Sequence, residues 1–344
     1  MRRGRLDSRR ACKLGLEEEP RGGELLSAHS VGTLGAIIKK SGFDCAKTGR
    51  GLLVHGDCAS VLQCIPEECI HGIVTDPPYG VKEFDADQLL KMKEGNGGIW
   101  RIPPSFDGHK RAPLPRFTAL NGRDRERLAS FFAVWGSQAL QVLRPGAHLF
   151  IAANTHLSVL VFSSLAEAGF EFRGEVIRLV MTLRGGSRPK NAESEFPDVM
   201  SLPRGAFEPW GLLRKPIPPG MTVAECLRVH GTGGLRRKPD GAQFLDVIGV
   251  GRTSPKEKGL APHPALKPQE LLRQLVHAAL PLGEGILLDP FMGSGSTVAA
   301  ADALGLPCIG VERDREYFEL AVKAVPQLAS LDVGSANGPL ALDL

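Results

Sequence analysis

The sequence predicts an α/β fold built on one doubly wound, mostly parallel sheet, and three observations support this prediction. Apolar runs of strand length alternate with stretches of helical periodicity along most of the chain. One apolar run ends in a proline-rich loop at residues 76–80, and another ends in a glycine-rich turn at residues 291–295. Open α/β sheets bind their ligands at the carboxyl ends of their strands, so both turns are expected at a functional site.

Length and composition are those of an ordinary globular protein. The chain has 344 residues, of which 42% are hydrophobic and 23% charged, and its net charge is +4. No apolar run approaches the ~18 residues of a membrane span, and no apolar segment follows the basic N-terminus as in a signal peptide. The seven cysteines include no Cys-x-x-Cys pair, which argues against a disulfide framework and against a zinc site. We therefore expect a cytoplasmic protein without a metal ion.

The N-terminal part of the chain carries weak signals. Residues 1–48 are rich in Arg, Gly and Glu and predict a flexible leader, although the pattern is compatible with a short helix over residues 31–39. Residues 52–55 then predict a strand that ends in Gly56-Asp57, and Asp57 can cap the helix that follows. A second strand leads directly to Asp76.

The first chemical motif is the tetrad Asp76-Pro77-Pro78-Tyr79, which Gly80 follows. Two prolines prevent the strand from continuing, so the tetrad forms a rigid loop. Asp76 can accept a hydrogen bond from an amino group, the Pro77 carbonyl can accept a second one, and the Tyr79 ring can stack on a planar base. Two acceptors and an aromatic ring suit an enzyme that holds the exocyclic amine of a flipped base. A solvated aspartate in a proline-rich turn is the simpler alternative.

The middle of the chain continues the β-α-β rhythm. Residues 81–123 form a long aperiodic segment, predicted either to close over the flipped base and contact DNA or to be a solvated loop. A helix over 128–143, a strand over 147–153, a helix over 158–168 and one or two strands over 172–183 follow. These elements place the tetrad within the sheet.

The positive charge of the chain is concentrated in residues 182–262. This segment has 13 Lys or Arg and 8 Asp or Glu, a net charge of +5, so the rest of the chain has a net charge of −1. Such an excess is expected for a surface that binds a phosphate backbone. A solvated basic face is the alternative. The candidates for DNA contact are Arg184, Arg188, Arg236, Arg237 and Lys238.

The second motif is Phe291-Met292-Gly293-Ser294-Gly295, between a strand over 285–288 and an alanine-rich helix over 297–304. Glycines in such a turn let the backbone approach a ligand beside a helix N-terminus. The next strand, over 308–311, ends in Glu312. An acidic residue at this place can hold ribose hydroxyls.

Together, the two motifs resemble those of the amino-methylating, S-adenosylmethionine-dependent DNA methyltransferases. The tetrad precedes the glycine turn, as in the circularly permuted β group of that family, and the resemblance covers residues 51–326. It implies a Rossmann-like methyltransferase sheet with a catalytic half at 49–181, an inserted target-recognition region at 182–262 and a cofactor half at 263–330. Residues 331–344 are predicted to be a tail.

The resemblance also implies roles for individual residues. It makes the tetrad Asp76, Pro77, Pro78 and Tyr79 catalytic. His263-Pro264-Ala265-Leu266-Lys267-Pro268 matches a motif that flanks the cofactor pocket in that family. The cofactor-binding residues implied for S-adenosylmethionine are Asp57, His263, Pro264, Lys267, Asp289, Phe291, Gly293, Gly295 and Glu312.

The reaction implied is attack of the N6 amine of adenine, in double-stranded DNA, on the sulfonium methyl group. Hydrogen bonds to Asp76 and to the Pro77 carbonyl would direct the nitrogen lone pair at that group. Cytosine carbon-5 methylation needs a cysteine nucleophile in a Pro-Cys loop. Pro307-Cys308 lies inside a predicted strand, so this reaction is rejected.

Several alternatives stay open. Cytosine-N4 methylation uses the same geometry, although a serine more often heads the tetrad there. Methylation of a protein glutamine fits less well, because the related enzymes begin the tetrad with Asn and place the glycine turn first. A DNA-binding subunit without catalysis is a further alternative. A restriction endonuclease partner and a monomeric or homodimeric state are expectations from the resemblance.

Overall fold

The computed structural model describes residues 30–78, 121–180, 192, 194–200, 203 and 205–333. Its helices and strands follow one another through most of these ranges. In chain order they are α1 (Val31–Lys40), β1 (Asp44–Thr48), β2 (Gly51–His55), α2 (Cys58–Leu62), β3 (Ile70–Thr75), α3 (Gly122–Val142), β4 (Leu143–Ala152), α4 (Ser158–Glu167), β5 (Glu171–Leu179), β6 (Phe207–Arg214), α5 (Val223–His230), β7 (Val247–Ile248), α6 (Pro255–Leu260), α7 (Gln269–Ala279), β8 (Leu287–Asp289), α8 (Ser296–Ala303), β9 (Cys308–Glu312) and α9 (Arg315–Ala329).

The described strands form one mixed sheet in the order β1-β2-β9-β8-β3-β4-β6-β5-β7. The central strands β2, β9, β8, β3 and β4 are parallel, whereas β6 is antiparallel to both of its neighbours. From β3 the chain proceeds to β4 on one side, and from β8 it proceeds to β9 on the other. The junction of β3 and β8 is therefore a topological switch point, which confirms the doubly wound fold and places both motifs at its crevice.

Helices cover both faces of the sheet, and the strand residues alternate between the two cores. Leu288 and Ile73 face one apolar core, which contains the buried residues of α1, α2, α3 and α4. Leu287 and Val74 face the other, with α7, α8 and α9. Strands buried on both faces read as continuous apolar runs, as β3 does.

Helix α3 begins six residues before the predicted start at 128. Its first turns contain Arg and Glu and lack the apolar spacing used for the prediction. The helix begins with a capping box: the Asn121 side chain accepts from the Asp124 amide, and the Asp124 carboxylate accepts from the Asn121 amide. The end of the predicted 81–123 loop is therefore helical, and residues 79–120 lie outside the described residues.

Two predicted boundaries are wrong. Residues 31–48, at the end of the expected leader, form α1 and β1, and β1 pairs with β2 along its whole length. The expected 182–262 insertion contains β6, a strand between β4 and β5, and β7 at the sheet margin. Strands β6 and β7 were not predicted, because their apolar stretches are short and lie next to Pro and Gly. None of the helices in the described residues combines the length and apolar character needed to cross a bilayer.

Candidate active site

The carboxyl edge of the central strands brings the two sequence motifs together. Ile73 of β3 is paired with Leu288 of β8, so Asp76 and the glycine turn leave the sheet side by side. The Thr75 hydroxyl donates a 2.7 Å hydrogen bond to Oδ1 of Asp289, which ties the two strand ends to each other. The site is therefore held by the strands of the switch point.

The glycine turn of residues 291–295 is packed so closely that a side chain at either of its glycines would meet neighbouring residues. Gly293 and Gly295 have φ angles of +53° and +85°, in the left-handed region that favours glycine. A Cβ on Gly293 would lie 3.0 Å from Cε1 of His263, and one on Gly295 would lie 2.4 Å from Cγ2 of Val325. The two glycines therefore let the turn before α8 pack closely against His263 and α9.

Glu312 lies at the end of β9, fixed by backbone amides. Its Oε2 accepts from the Gly293 amide at 2.9 Å and its Oε1 accepts from the Asp314 amide at 2.7 Å. Burial raises its pKa, and the amide hydrogen bonds oppose that shift. A carboxylate oxygen can accept more than one hydrogen bond, so both oxygens can also accept from ligand hydroxyls.

Asp289 is almost completely buried, and its side chain holds the turn. Besides Thr75, the Phe291 amide donates to its Oδ1 at 3.1 Å. Burial raises the pKa of Asp289 to about 6, although the hydrogen bonds from Thr75, Thr297 and Phe291 act to lower it. The predicted contact of this side chain with the cofactor stays a prediction, and its described hydrogen bonds are with Thr75, Thr297 and the Phe291 amide.

His263 packs against the glycine turn. Its ring is 4.3 Å from that of Tyr317, measured between centroids, in an edge-to-face arrangement. Burial, together with the positive charge of Lys267, lowers the pKa of His263 to about 4, so the ring is neutral near pH 7. Its Nδ1 accepts from the Ala265 amide at 3.2 Å, which assigns the proton to Nε2. His263 can therefore donate a hydrogen bond beside the glycine turn.

Asp76 begins a chain of alternating charges. Its Oδ2 lies 2.8 Å from Nζ of Lys267, and the same Nζ lies 2.5 Å from Oε1 of Glu208. The other oxygen of Glu208, Oε2, lies 3.0 Å from Nη1 of Arg178. Burial alone would lower the pKa of Lys267, but the Asp76 and Glu208 carboxylates raise it above its usual value. The ammonium ion is therefore fixed between two ionised carboxylates.

Lys267 has a partner that the sequence did not indicate. The resemblance implies that it contacts the cofactor, which stays a prediction, and the structure places its ammonium against Asp76. Glu208 and Arg178 belong to the same chain of charges and were not predicted. A Glu in Phe-Glu-Pro-Trp and an Arg in an ordinary strand pattern give no local signal, because only the register Arg178↔Glu208 of the antiparallel β5–β6 pair brings them together.

Most of the remaining predicted residues are described by the structure, and three of them lie outside its described ranges. Asp57 caps α2, its Oδ2 accepting from the Ser60 amide at 3.1 Å, and it lies two residues beyond His55, which is paired with Glu312. The half-buried Phe291 packs against Trp135, with ring centroids 5.6 Å apart, and Pro264 is exposed. Pro77 is buried and Pro78 exposed beside Asp76. Tyr79, Arg184 and Arg188 lie outside the described residues.

The basic cluster Arg236, Arg237 and Lys238 lies at the other edge of the sheet. The Arg236 amide donates to the carbonyl of Ala278, in the last turn of α7, and the guanidinium packs on Gly283. Helix α7 begins two residues after Lys267 and runs away from the site for 11 residues, about 16 Å. These three residues therefore lie about one helix length from the tetrad, and their contact with DNA stays a prediction.

Comparison with known families agrees with this geometry. A family model described as DNA methylase, for enzymes that act on N6 or N4 amines, matches residues 217–323, which include the glycine turn and Glu312. The tetrad lies upstream of that match and beside the glycine turn in space. Over that range the chain is similar to these DNA methylases. Among the described residues, no group of three His, Cys, Asp or Glu could hold a metal ion.

Relatives and solved structures extend the comparison over most of the chain. The Type II methyltransferase M.HindIII of Haemophilus influenzae is 26% identical over 293 residues, which cover 78% of this chain and 93% of the relative. M2.DpnII of Streptococcus pneumoniae is 25% identical over 276 residues, covering 79% and 88%.

Two solved structures share the fold. TTHA0409 of Thermus thermophilus, a DNA modification methylase solved with S-adenosyl-L-methionine, has a TM-score of 0.51 at 19% identity and covers 80% of this chain and 93% of its own. PvuII DNA methyltransferase, which is cytosine-N4-specific, has a TM-score of 0.51 at 14% identity, covering 84% and 91%. These likenesses confirm the predicted methyltransferase-like α/β fold.

Proposed function

We propose that this protein is a site-specific DNA methyltransferase that transfers a methyl group from S-adenosyl-L-methionine to the N6 amine of adenine in double-stranded DNA. The observation that supports it best is the position of Asp76. This carboxylate follows a central strand at the switch point, next to the tightly packed glycine turn, and a buried ammonium ion holds one of its oxygens.

The glycine turn and its surroundings fit S-adenosylmethionine. The fixed carboxylate of Glu312 accepts from the ribose hydroxyls, and the backbone at Gly293 lies close to the bound molecule. His263 donates from Nε2, and Phe291 provides an apolar surface supported by Trp135. Asp57, at the end of the neighbouring β2, is proposed to contact the adenine end. Bound there, S-adenosylmethionine supplies an electrophilic methyl group.

Asp76 and Pro77 are proposed to act on the target amine. The lone pair of an aromatic amine is delocalised into its ring, so such a nitrogen is a weak nucleophile. Hydrogen bonds from its N–H groups to the Asp76 carboxylate and the Pro77 carbonyl favour a pyramidal nitrogen whose lone pair points away from the ring. Rigid placement by Pro77 and Pro78 contributes through orientation, because less motion must be lost in the transition state.

The choice of adenine rests on the residue that heads the tetrad. An aspartate at this position is typical of the adenine enzymes of the family that the motifs resemble. If cytosine were the target base, the product would be N4-methylcytosine. We further propose that the protein works in the cytoplasm, as a monomer or homodimer, on a site that a restriction endonuclease partner also recognises. Genomic cloning of neighbouring reading frames and co-purification would test that partnership.

The decisive experiment maps the product of the wild-type protein. Plasmid DNA from cells that express the chain is sequenced at base resolution, and the purified enzyme is assayed with tritium-labelled cofactor. We expect N6-methyladenine at one short sequence. N4-methylcytosine would correct the base, and the absence of any methylation of DNA would overturn the proposed function.

Asp76→Ala then tests the catalytic assignment. We expect methyl transfer to fall by roughly 10²–10³-fold or more, since groups aimed at the reacting atoms typically contribute that much. Cofactor affinity, measured by calorimetric titration, should stay within about threefold, because the predicted cofactor contacts lie on other residues. Asp240→Ala, in an exposed turn, is the matched control. Normal turnover of Asp76→Ala would contradict its role.

A further inference from the structure

We propose that Glu208, held by Arg178, is a positioning residue for methyl transfer, because it fixes the Lys267 ammonium and limits its contact with Asp76. This inference rests on the proposed function, since Asp76 must act on the target amine for its orientation to matter. In this proposal Glu208 acts through Lys267 on Asp76, and neither Glu208 nor Lys267 contacts the DNA base.

The geometry divides the oxygens of Glu208 between two kinds of partner. Oε2 accepts from Nη1 of Arg178 at 3.0 Å and from Nε1 of Trp210 at 3.3 Å. Oε1 accepts from Nζ of Lys267 at 2.5 Å. Arg178 is itself fixed, because its Nε donates to the Val250 carbonyl at 3.1 Å and its Nη2 donates to the carbonyl of Gly251. The position of the Glu208 carboxylate is therefore determined by β5, β6 and the chain after β7.

The chain of charges is shielded from water throughout. The side chains of Arg178, Glu208, Lys267 and Asp76 are 6%, 14%, 14% and 13% exposed. At such burial an ion pair costs desolvation and is weak evidence for stability, so another reason for its presence is worth seeking. Although burial opposes its ionisation, Lys267 and Arg178 hold the pKa of Glu208 below its usual value. The four charges sum to zero.

Lysine is the residue for which such support matters. An ammonium ion is a compact charge on a flexible stem, so its position depends on its partners. Without a negative charge at residue 208, the Lys267 ammonium would be attracted by Asp76 alone and would bind its carboxylate more completely. It would then compete with the target amine for the same acceptor oxygens. Glu208 therefore shares the Lys267 ammonium with Asp76 and keeps Asp76 oriented while its acceptor strength remains available.

The same strand pair provides an internal control. Glu171 of β5 faces Arg214 of β6 beyond a one-residue shift in the register, with 2.5 Å between Oε2 and Nη2, at the other end of the two strands. This pair joins the same elements through the same chemistry but is far from the tetrad. A purely structural role for Glu208 predicts similar consequences when either glutamate is replaced.

The test compares Glu208→Gln with Glu171→Gln in single-turnover methyl transfer at saturating cofactor and DNA. We expect Glu208→Gln to lower the rate constant by about 10²-fold, the loss typical of a slightly misplaced reacting group. Cofactor affinity should stay within about twofold. Glu171→Gln should keep the wild-type rate. Equal rates for Glu208→Gln and wild type, or equal losses in both variants, would overturn the proposal.

The pH profile of the rate distinguishes positioning from local damage. The charged groups that face Asp76 include Lys267 and, across the switch point, Asp289, with Glu208 behind Lys267. Glu208→Gln removes a negative charge, so Asp76 should stay ionised to lower pH and the acid limb should move down. Lys267→Met leaves Asp76 without its cation, so the limb should move up.

If Glu208→Gln fails to bind cofactor, the pH–rate profile of Lys267→Met tests the proposal instead. An unshifted acid limb in Lys267→Met would overturn the proposal. Failure of the proposed function has a different signature, because the wild-type protein itself would then transfer no methyl group to DNA.

Discussion

The two ends of the β5–β6 strand pair show how position decides the role of an ion pair. At the carboxyl edge Arg178 of β5 pairs with Glu208 of β6, and at the amino edge Glu171 of β5 pairs with Arg214 of β6. Both pairs join directly opposed residues of the same antiparallel strands. They differ in what lies beyond them.

Beyond the carboxyl-edge pair the charges continue to the reacting centre. Glu208 binds Lys267, and Lys267 binds Asp76. Beyond the amino-edge pair the contacts end in backbone, since Nη1 of Arg214 donates to the Gly233 carbonyl at 3.2 Å. The two pairs therefore share their strands and their chemistry, and of the two the carboxyl-edge pair is connected through a third charge to Asp76. We expect that connection to give the carboxyl-edge pair a functional consequence.

The first prediction concerns the carboxyl edge, where we propose that Glu312 binds the cofactor and Asp76 binds the target amine. Glu312→Ala removes the acceptor proposed for the ribose, and hydrogen bonds to charged groups are worth about 1.5–3 kcal/mol. We expect cofactor affinity to fall by roughly 10- to 150-fold, as those energies imply. The rate at saturating cofactor should change little. Calorimetric titration and single-turnover kinetics measure the two effects separately.

Glu319→Ala, on the exposed side of α9, is the control for that substitution. It should leave both quantities unchanged. Unaltered cofactor affinity in Glu312→Ala would show that the carboxylate at the end of β9 serves the turn alone, through its bonds to the Gly293 and Asp314 amides.

Much of the fold and part of the site could be predicted from sequence because both depend on local signals. Apolar runs located the central strands, and prolines and glycines located the two turns after them. The partners of Asp76 could not be found in this way. Lys267 matches a motif, but a motif does not say which of two neighbouring ligands its side chain faces.

Glu208 and Arg178 could not be predicted for a different reason. Their contact depends on the register of two strands that are 30 residues apart in sequence, and no local pattern sets that register. The charge count over 182–262 could not locate a surface, because it combined residues from both edges. The chain leaves β5 and enters β6 at the carboxyl edge, whereas Arg236, Arg237 and Lys238 follow β6 at the amino edge.

The second prediction concerns acid stability at the amino edge. His148 of β4 is opposite Arg214, and burial together with the charges of Arg214 and Arg173 lowers its pKa to about 3. Between this value and the unfolded value near 6.5, the unfolded chain binds a proton that the folded protein does not. This group therefore makes the free energy of unfolding fall as pH falls below about 6.5.

His148→Leu should remove that contribution. We expect the dependence of unfolding free energy on pH to become shallower by up to about 1.4 kcal/mol per pH unit between pH 6 and 5. Urea unfolding at pH 8, 6 and 5 measures this slope, independently of any change in stability at pH 8. Equal slopes for the variant and the wild type would show that His148 is protonated in the folded protein.

The last prediction has the smallest expected effect and tests whether the two edges differ in contact with DNA. Arg236, Arg237 and Lys238 are the densest basic cluster of the sequence segment first expected to bind DNA. Their contacts are instead with the end of α7 and the loop at Gly241, where Nη1 of Arg237 donates to the carbonyl at 3.3 Å. A duplex whose base reaches Asp76 lies against the carboxyl edge. These three cations should then contribute little to binding.

Replacing all three with alanine should therefore leave DNA affinity within about twofold at each salt concentration. The slope of log affinity against log salt should not change, whereas each lost phosphate contact would reduce it by about 0.9. Arg184→Ala/Arg188→Ala, the other cations predicted to contact DNA, is the comparison variant, and we expect it to weaken binding and flatten the slope. A flattened slope in the triple variant would mean that DNA also contacts the amino edge. The carboxyl and amino edges would then differ in their role in catalysis but not in their contact with DNA.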